Sequence, residues 1–192
     1  MIINIEDIRH GVRVANQSLK LATLIGFKKN FKDNIYISSL FHDIGKAYLS
    51  QKILNKPGKL SDSEKKHINN HPIYSYNEVL NLGYSNEIAL NILHHHENFN
   101  GTGYPNGLKG EDIPIGARII KICDVFDALT MDRPYRKKLS IKKALEIMIA
   151  EKEHYDNKLL KVFIEQVAKN YKYENRPEKH YLMFNISYND AK

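Results

Sequence analysis

The chain of 192 residues has no tryptophan and a single cysteine, Cys123. One cysteine closes no internal disulfide, so the core must hold the fold, and a reducing, cytoplasmic setting is expected. Long apolar runs are also missing. No stretch approaches the ~20 residues of a membrane-spanning helix. The N-terminal MIINIEDIRHGVRVA is broken by acidic and basic residues, unlike a secretory leader. Strand-like alternation is absent except around YLMFNISY, and neither an internal repeat nor a low-complexity linker is present.

What remains is helical periodicity and basic charge. Hydrophobic residues make up 42% of the chain, enough for a core, and the net charge is +7. That sign favours anionic partners. The basic residues neither concentrate in one tract nor interleave with aromatics, so long nucleic acid is not expected as a partner.

Residues 8–27 place Val12, Ala15, Leu19, Ala22 and Leu24 at helical spacing, with Gly26 as the stop. A second, more apolar helix is expected over 34–49. A capping box, Ser61 to Glu64, starts a third, which Pro72 breaks or kinks just after His71. Ser85 caps SNEIALNILHHHE. Residues 98–114 are a glycine- and proline-rich loop, 115–131 a buried helix, and 140–153 another, capped by Ser140. The expected fold is all-α: one helical domain over residues 1–168 and a short C-terminal tail, 169–192, of unclear role.

Imidazoles and carboxylates recur along these helices in the order E-x3-H, HDxGK, H, HH, D. Glu6 and His10 lie one turn apart on one face, and His42 and Lys46 share a face by the same arithmetic. His71 and the pair His95–His96 sit at helix ends, where side chains can converge. Asp124 stands inside the apolar run IIKICDVFDAL; an isolated buried carboxylate would cost several kcal/mol, and a cation removes that cost. Mixed nitrogen and oxygen donors suit first-row transition metals rather than Mg or Ca. Six or seven ligands exceed one tetrahedral site and suit two or three ions, with Asp43 as a bridge. His67, His94, His154 and His180 are assigned no such role. Glu97 is expected to support a ligating histidine or simply to sit at a helix end.

These blocks, HDIGKAYLSQKILNKPGKLSDSEKKHINNHP and HHENFNGTGYPNGLKGEDIPIGARIIKICDVFDALTMDRPYRK, resemble the HD-GYP family of metal phosphohydrolases over about residues 6–165. Gly103, Tyr104 and Pro105 are the tripeptide of that name. The resemblance implies an HD-type helical bundle and a cyclic di-GMP phosphodiesterase giving pGpG or GMP. It implies iron or manganese at a two- or three-metal centre, with zinc, cobalt and nickel also compatible. Carried over by position, His42, Asp43, His71, His95, His96 and Asp124 match the shared ligands, and His10 the histidine of the preceding helix. Glu6 matches the acid of three-metal members, so a third ion is expected. Asp43 and Lys46 are expected to act in catalysis, and Lys46, Tyr104, Arg133 and Arg136 to contact substrate. Asn100, Ser75 and Ser50 depart from the usual residues without removing a ligand. Two other readings stand beside this one: a catalytically weak module docking a GGDEF-type diguanylate cyclase, and a phosphodiesterase for cyclic GMP–AMP. Retention of both HD and GYP favours the enzyme.

Overall fold

A computed structural model describes residues 5–132 and 137–168. Among them the protein is all-α, with no strand. The YLMFNISY segment, the 169–192 tail, His180, Arg133 and Arg136 lie outside the described residues. The helices are α1 (Ile5–Ile25), α2 (Lys29–Phe41), α3 (Gln51–Leu54), α4 (Asp62–Ile68), α5 (His71–Asn81), α6 (Asn86–Leu93), α7 (Ile115–Thr130), α8 (Ile141–Ala150) and α9 (Asn157–Val162), the last continuing as a π turn over Phe163–Ala168.

Two apolar clusters organise them. The larger joins α1, α2, α7, α8 and α9 through Val14, Leu21, Ile35, Phe126, Met148 and Phe163, all fully buried. The smaller, under α5 and α6, holds Val79, Ile88, Ala89 and Ile92. Helix α7 is the central element, with ten of its residues buried, including Asp124 and Asp127.

Local signals set most boundaries. Ser61 and Glu64 form both halves of the capping box, and Ser85 and Ser140 cap α6 and α8 as expected. Gly26, left-handed at φ +91°, stops α1, with Phe27 N–H returning to the Ala22 carbonyl at 3.1 Å.

Three expectations are corrected. The buried face of α1 is His10, Gly11, Val14, Ala15, Gln17, Ser18, Leu21 and Ala22. The apolar stripe read from the sequence is therefore rotated: Leu24 is exposed, and Val12 and Leu19 only flank the core. Apolar spacing misjudged this face because it carries polar residues inward. The 34–49 segment is not one helix either. α2 ends at Phe41, and the chain tightens into a 3₁₀ helix over Ile44–Tyr48. Finally, the break near Pro72 falls before His71, so proline occupies the first turn of α5, where its missing N–H costs nothing.

The turn after α2 exists because Gly45 lets two backbones touch. A Cβ there would lie 2.3 Å from the His71 carbonyl oxygen and 2.5 Å from Ser75 N. The Gly45 N–H donates to Ser75 Oγ at 2.8 Å. This contact presses the HD segment against the start of α5. Gly45→Ala is expected to destabilise the fold by about 3 kcal/mol through overpacking; a chemical-denaturation midpoint within error of the parent protein would contradict it.

Candidate metal centre

Each predicted donor arrives by a different route. His42 is the C-cap of α2, His71 opens α5 directly after α4, and His95 and His96 follow the end of α6. His10 and Asp124 lie within α1 and α7.

Three of the histidines are aimed by the same local device. Nδ1 of His42 donates to the Ser39 carbonyl at 2.7 Å, that of His71 to Ile68 at 2.8 Å, and that of His95 to Ile92 at 2.6 Å. Each carbonyl lies in the last turn of a helix, where intrahelical partners run out. A carbonyl can only accept, so Nδ1 carries the proton and Nε2 is turned inward. His10 has no such carbonyl and uses a carboxylate. Its Nδ1 meets Asp127 Oδ2 at 2.7 Å, and Arg13 grips Asp127 through Nε (2.7 Å) and Nη2 (2.9 Å). A carboxylate behind a histidine fixes the ring and its tautomer, as behind metal-bound histidines generally.

The inward atoms converge. His10 Nε2 lies 3.1 Å from Asp124 Oδ1 and 3.5 Å from Asp43 Oδ2. His42 Nε2 is 3.3 Å from Asp43 Oδ2 and 3.8 Å from Asp124 Oδ1. His71 Nε2 is 3.2 Å from Asp43 Oδ1, 3.4 Å from His95 Nε2 and 3.1 Å from His96 Nε2. The donors form two groups, His10–His42–Asp43 and Asp43–His71–His95–His96, whose ligand atoms lie within 4.8 Å of one another. Asp43 belongs to both, and Asp124 stands beside the first.

This set fits metal ions on its own chemistry. Nε2 of His10, Nε2 of His42 and Oδ1 of Asp43 are buried without a hydrogen-bond partner, at about 1–3 kcal/mol each. His71 and His95 have committed their Nδ1 protons to carbonyls, so as neutral imidazoles their Nε2 lone pairs face each other. Divalent cations relieve both conditions, and the nitrogen–oxygen mixture suits first-row transition metals.

Electrostatics agrees. Burial alone would raise the Asp43 carboxyl, but Lys46 and His42 hold it well below the usual carboxylate range; His10 and His42 do the same for Asp124 against its burial. Burial, reinforced by neighbouring imidazoles, pushes His95 and His96 well below the usual histidine value. His42 is the exception: burial pulls it down, yet Asp43 and Asp124 outweigh that and raise it to about 10. Without metal, its proton takes the place of a cation.

The remaining candidates fall around this centre. Lys46 lies on the 3₁₀ turn rather than on the helix of His42, and its ammonium pairs with Asp43 Oδ2. Tyr104 stacks on His96 with ring centroids 4.9 Å apart and planes 26° from parallel. Burial, then Asp43 and Asp124, push its phenol pKa up, so it stays neutral. The loop reaches this position because Gly103 packs on the Glu97–Asn98 backbone, where a Cβ would sit 2.2 Å from Asn98 N. Glu97 supports that loop rather than a ligand histidine: it is buried and accepts from Asn106 N–H at 2.7 Å, with His94 Nδ1 at 3.7 Å. Asn100 accepts from Thr102 N–H and Oγ1, a local turn rather than a contact with a basic side chain. Glu6 is exposed, paired with Arg9, and in neither donor group.

Sequence reasoning missed Asp127, Arg13 and Lys121. One signal was available for the first: DVFDAL carries two acids in an apolar run, and only Asp124 was given a partner. Lys121 donates to the His96 carbonyl at 3.4 Å.

The HD-domain family profile matches residues 4–159. The chain belongs to the HD-domain family, in its HD-GYP branch. Among relatives of this HD-GYP chain, a cyclic di-GMP phosphodiesterase of Pseudomonas aeruginosa is 36% identical over 160 residues, 83% of this chain and 39% of the relative. A 3'3'-cGAMP-specific phosphodiesterase of Vibrio cholerae is 40% identical over 143 residues, covering 73% and 32%. The chain thus spans about a third of the length of these curated relatives. Two solved structures share the fold. The Bdellovibrio bacteriovorus HD-GYP protein has a TM-score of 0.66 at 24% identity over 83% of this chain and 52% of its own. A V. cholerae cyclic GMP–AMP phosphodiesterase has 0.65 at 22% over 85% and 44%. No described helix is long and apolar enough to cross a membrane.

Asp127→Asn leaves the Arg13 side without its charge partner and loosens His10; metal affinity should fall about 10–100-fold, read by chelator competition. For metal-free protein, His42 is raised in the folded state, so its contribution to stability is complete below about 6.5 and is lost as pH climbs toward about 10. Ions must displace that proton, so the rise in melting temperature on adding manganese should grow with pH over the same window. A rise that shrinks with pH would contradict the assignment.

Proposed function

We propose that the chain is a metal-dependent phosphodiesterase opening cyclic di-GMP to pGpG, or on to GMP. The observation that carries the reading is Asp43, one carboxylate shared by two donor groups. Asp43 would contribute to the holding of a cation in each group, beside the same phosphodiester. Divalent ions bound there supply a water of lowered pKa and positive charge for the phosphoryl oxygens. Iron or manganese is the reading that the HD-GYP resemblance implies, and the nitrogen and oxygen donors of both groups suit first-row transition metals. Two ions account for the grouped donors; the third ion that the resemblance implies rests on Glu6, an exposed residue paired with Arg9.

The chain's own groups do the rest. His10, His42, His71, His95 and His96 present Nε2 inward from rings fixed at Nδ1 or by stacking, so no reorganisation is needed as charge develops. Asp43 and Asp124 stay ionised. Lys46, beside Asp43, places an ammonium where a phosphate oxygen would approach the centre. Tyr104, neutral and packed on His96, forms one wall and offers a ring face to a purine. Arg133 and Arg136 keep their proposed phosphate or base contacts. Relatives named for cyclic di-GMP support the substrate, and those named for 3'3'-cGAMP make that dinucleotide the comparison to run.

Protein loaded with iron or manganese under anaerobic conditions should hydrolyse cyclic di-GMP, and Asp43→Ala should fall to the rate of chelator-treated protein. Preference for 3'3'-cGAMP would move the substrate. Binding of metal and dinucleotide without turnover would replace the enzyme with a signalling module.

A further inference from the structure

Lys121 lies on α7 one turn before Asp124, so the two share the face that looks toward the centre. Its ammonium reaches the His96 carbonyl at 3.4 Å, a bond shared with the Tyr104 N–H at the same distance. Lys121 therefore stands at the root of the loop carrying Tyr104, at the His96 end of the donor cluster. Lys46 stands at the Asp43 end. The two lysines bracket the centre from opposite ends of the His71–His96 and His71–Asp43 contacts.

Lys121 is partly buried, yet among the described residues it makes no ion pair. The carboxylates nearest in effect are all committed elsewhere. Asp124 faces His10 and His42. Glu97 holds the loop at Asn106. Glu151, half exposed at the surface, lies beside His154. Burial pulls the Lys121 amine down while these three acids push it back up. Cations held beside Asp124 would offset its charge, and Lys121 would lose the first of the acids that balance it. A partly buried ammonium with one weak carbonyl contact then has strong reason to take an external anion.

We propose that Lys121 is a substrate-binding residue that holds the phosphate not being cleaved, across the centre from Lys46. The assignment rests on the cyclic dinucleotide reading above: such a ring carries two phosphodiesters, so one faces the metals while the other needs a separate cation. Tyr104, whose N–H meets the same carbonyl and whose ring stacks on His96, would read a base while Lys121 holds the distal phosphate.

The test compares Lys121→Met, which keeps the apolar stem, with Lys121→Arg, which keeps the charge, in the manganese-loaded full chain. KM for cyclic di-GMP should rise about tenfold or more in the methionine variant, with a smaller change in kcat and the same manganese content per chain. Arginine should recover most of the KM. An unchanged KM in an active methionine variant overturns the assignment and leaves the phosphodiesterase reading intact. So does a fall in kcat together with lost manganese, which marks a structural pin on the His96 carbonyl. If the parent chain turns over no cyclic dinucleotide, the phosphodiesterase reading fails and the Lys121 assignment falls with it.

Discussion

The arrangement depends on one recurring hydrogen bond: an imidazole Nδ1–H given to a carbonyl three residues back, at the end of a helix. It occurs at His42, His71 and His95. In each case it reaches a carbonyl in the last turn of a helix, fixes the ring, and commits the proton away from the centre. Three helices therefore point their C-terminal ends, and the Nε2 atoms beyond them, at one place. His10 comes from mid-helix, has no open carbonyl, and needs Asp127 and Arg13 to do the same.

A second constraint follows from burial. Asp43 and Asp124 are nearly inaccessible and sit among imidazoles whose free lone pairs also face inward. Such a set is stable only if cations, whether protons or metals, lie between its members. In the metal-free chain, His42 and Lys46 take that part for Asp43. With ions bound, His42 gives up its proton to become a ligand, and the Lys46 ammonium becomes available to a phosphate, so the group that balances Asp43 without metal also makes the loaded centre receptive to anions.

The backbone is shaped to serve this cluster. Gly45 lets the HD turn press on the first turn of α5, and Gly103 lets the loop fold back on Glu97 and lay Tyr104 over His96. Core packing of α1 against α7 sets the distance between His10 and Asp124, so the larger apolar cluster is also the frame of the metal site.

Much was legible in the sequence because its signals are local. Helix caps at Ser61, Ser85 and Ser140, the stop at Gly26, and the ordered run of histidines and acids each depend on neighbours within a few residues. The all-α class and most of the donor set followed from them. The face of α1, the break after Phe41 and the part played by Glu97 did not, since the first two are decided by partners far along the chain, Asp127 for His10 and Ser75 for Gly45, and the third by the way the loop folds back to bring the Asn106 amide to Glu97. Asp127 and Lys121 stayed hidden for the same reason. Residue type and spacing state which atoms can donate or accept; only packing over more than a hundred residues decides which of them meet.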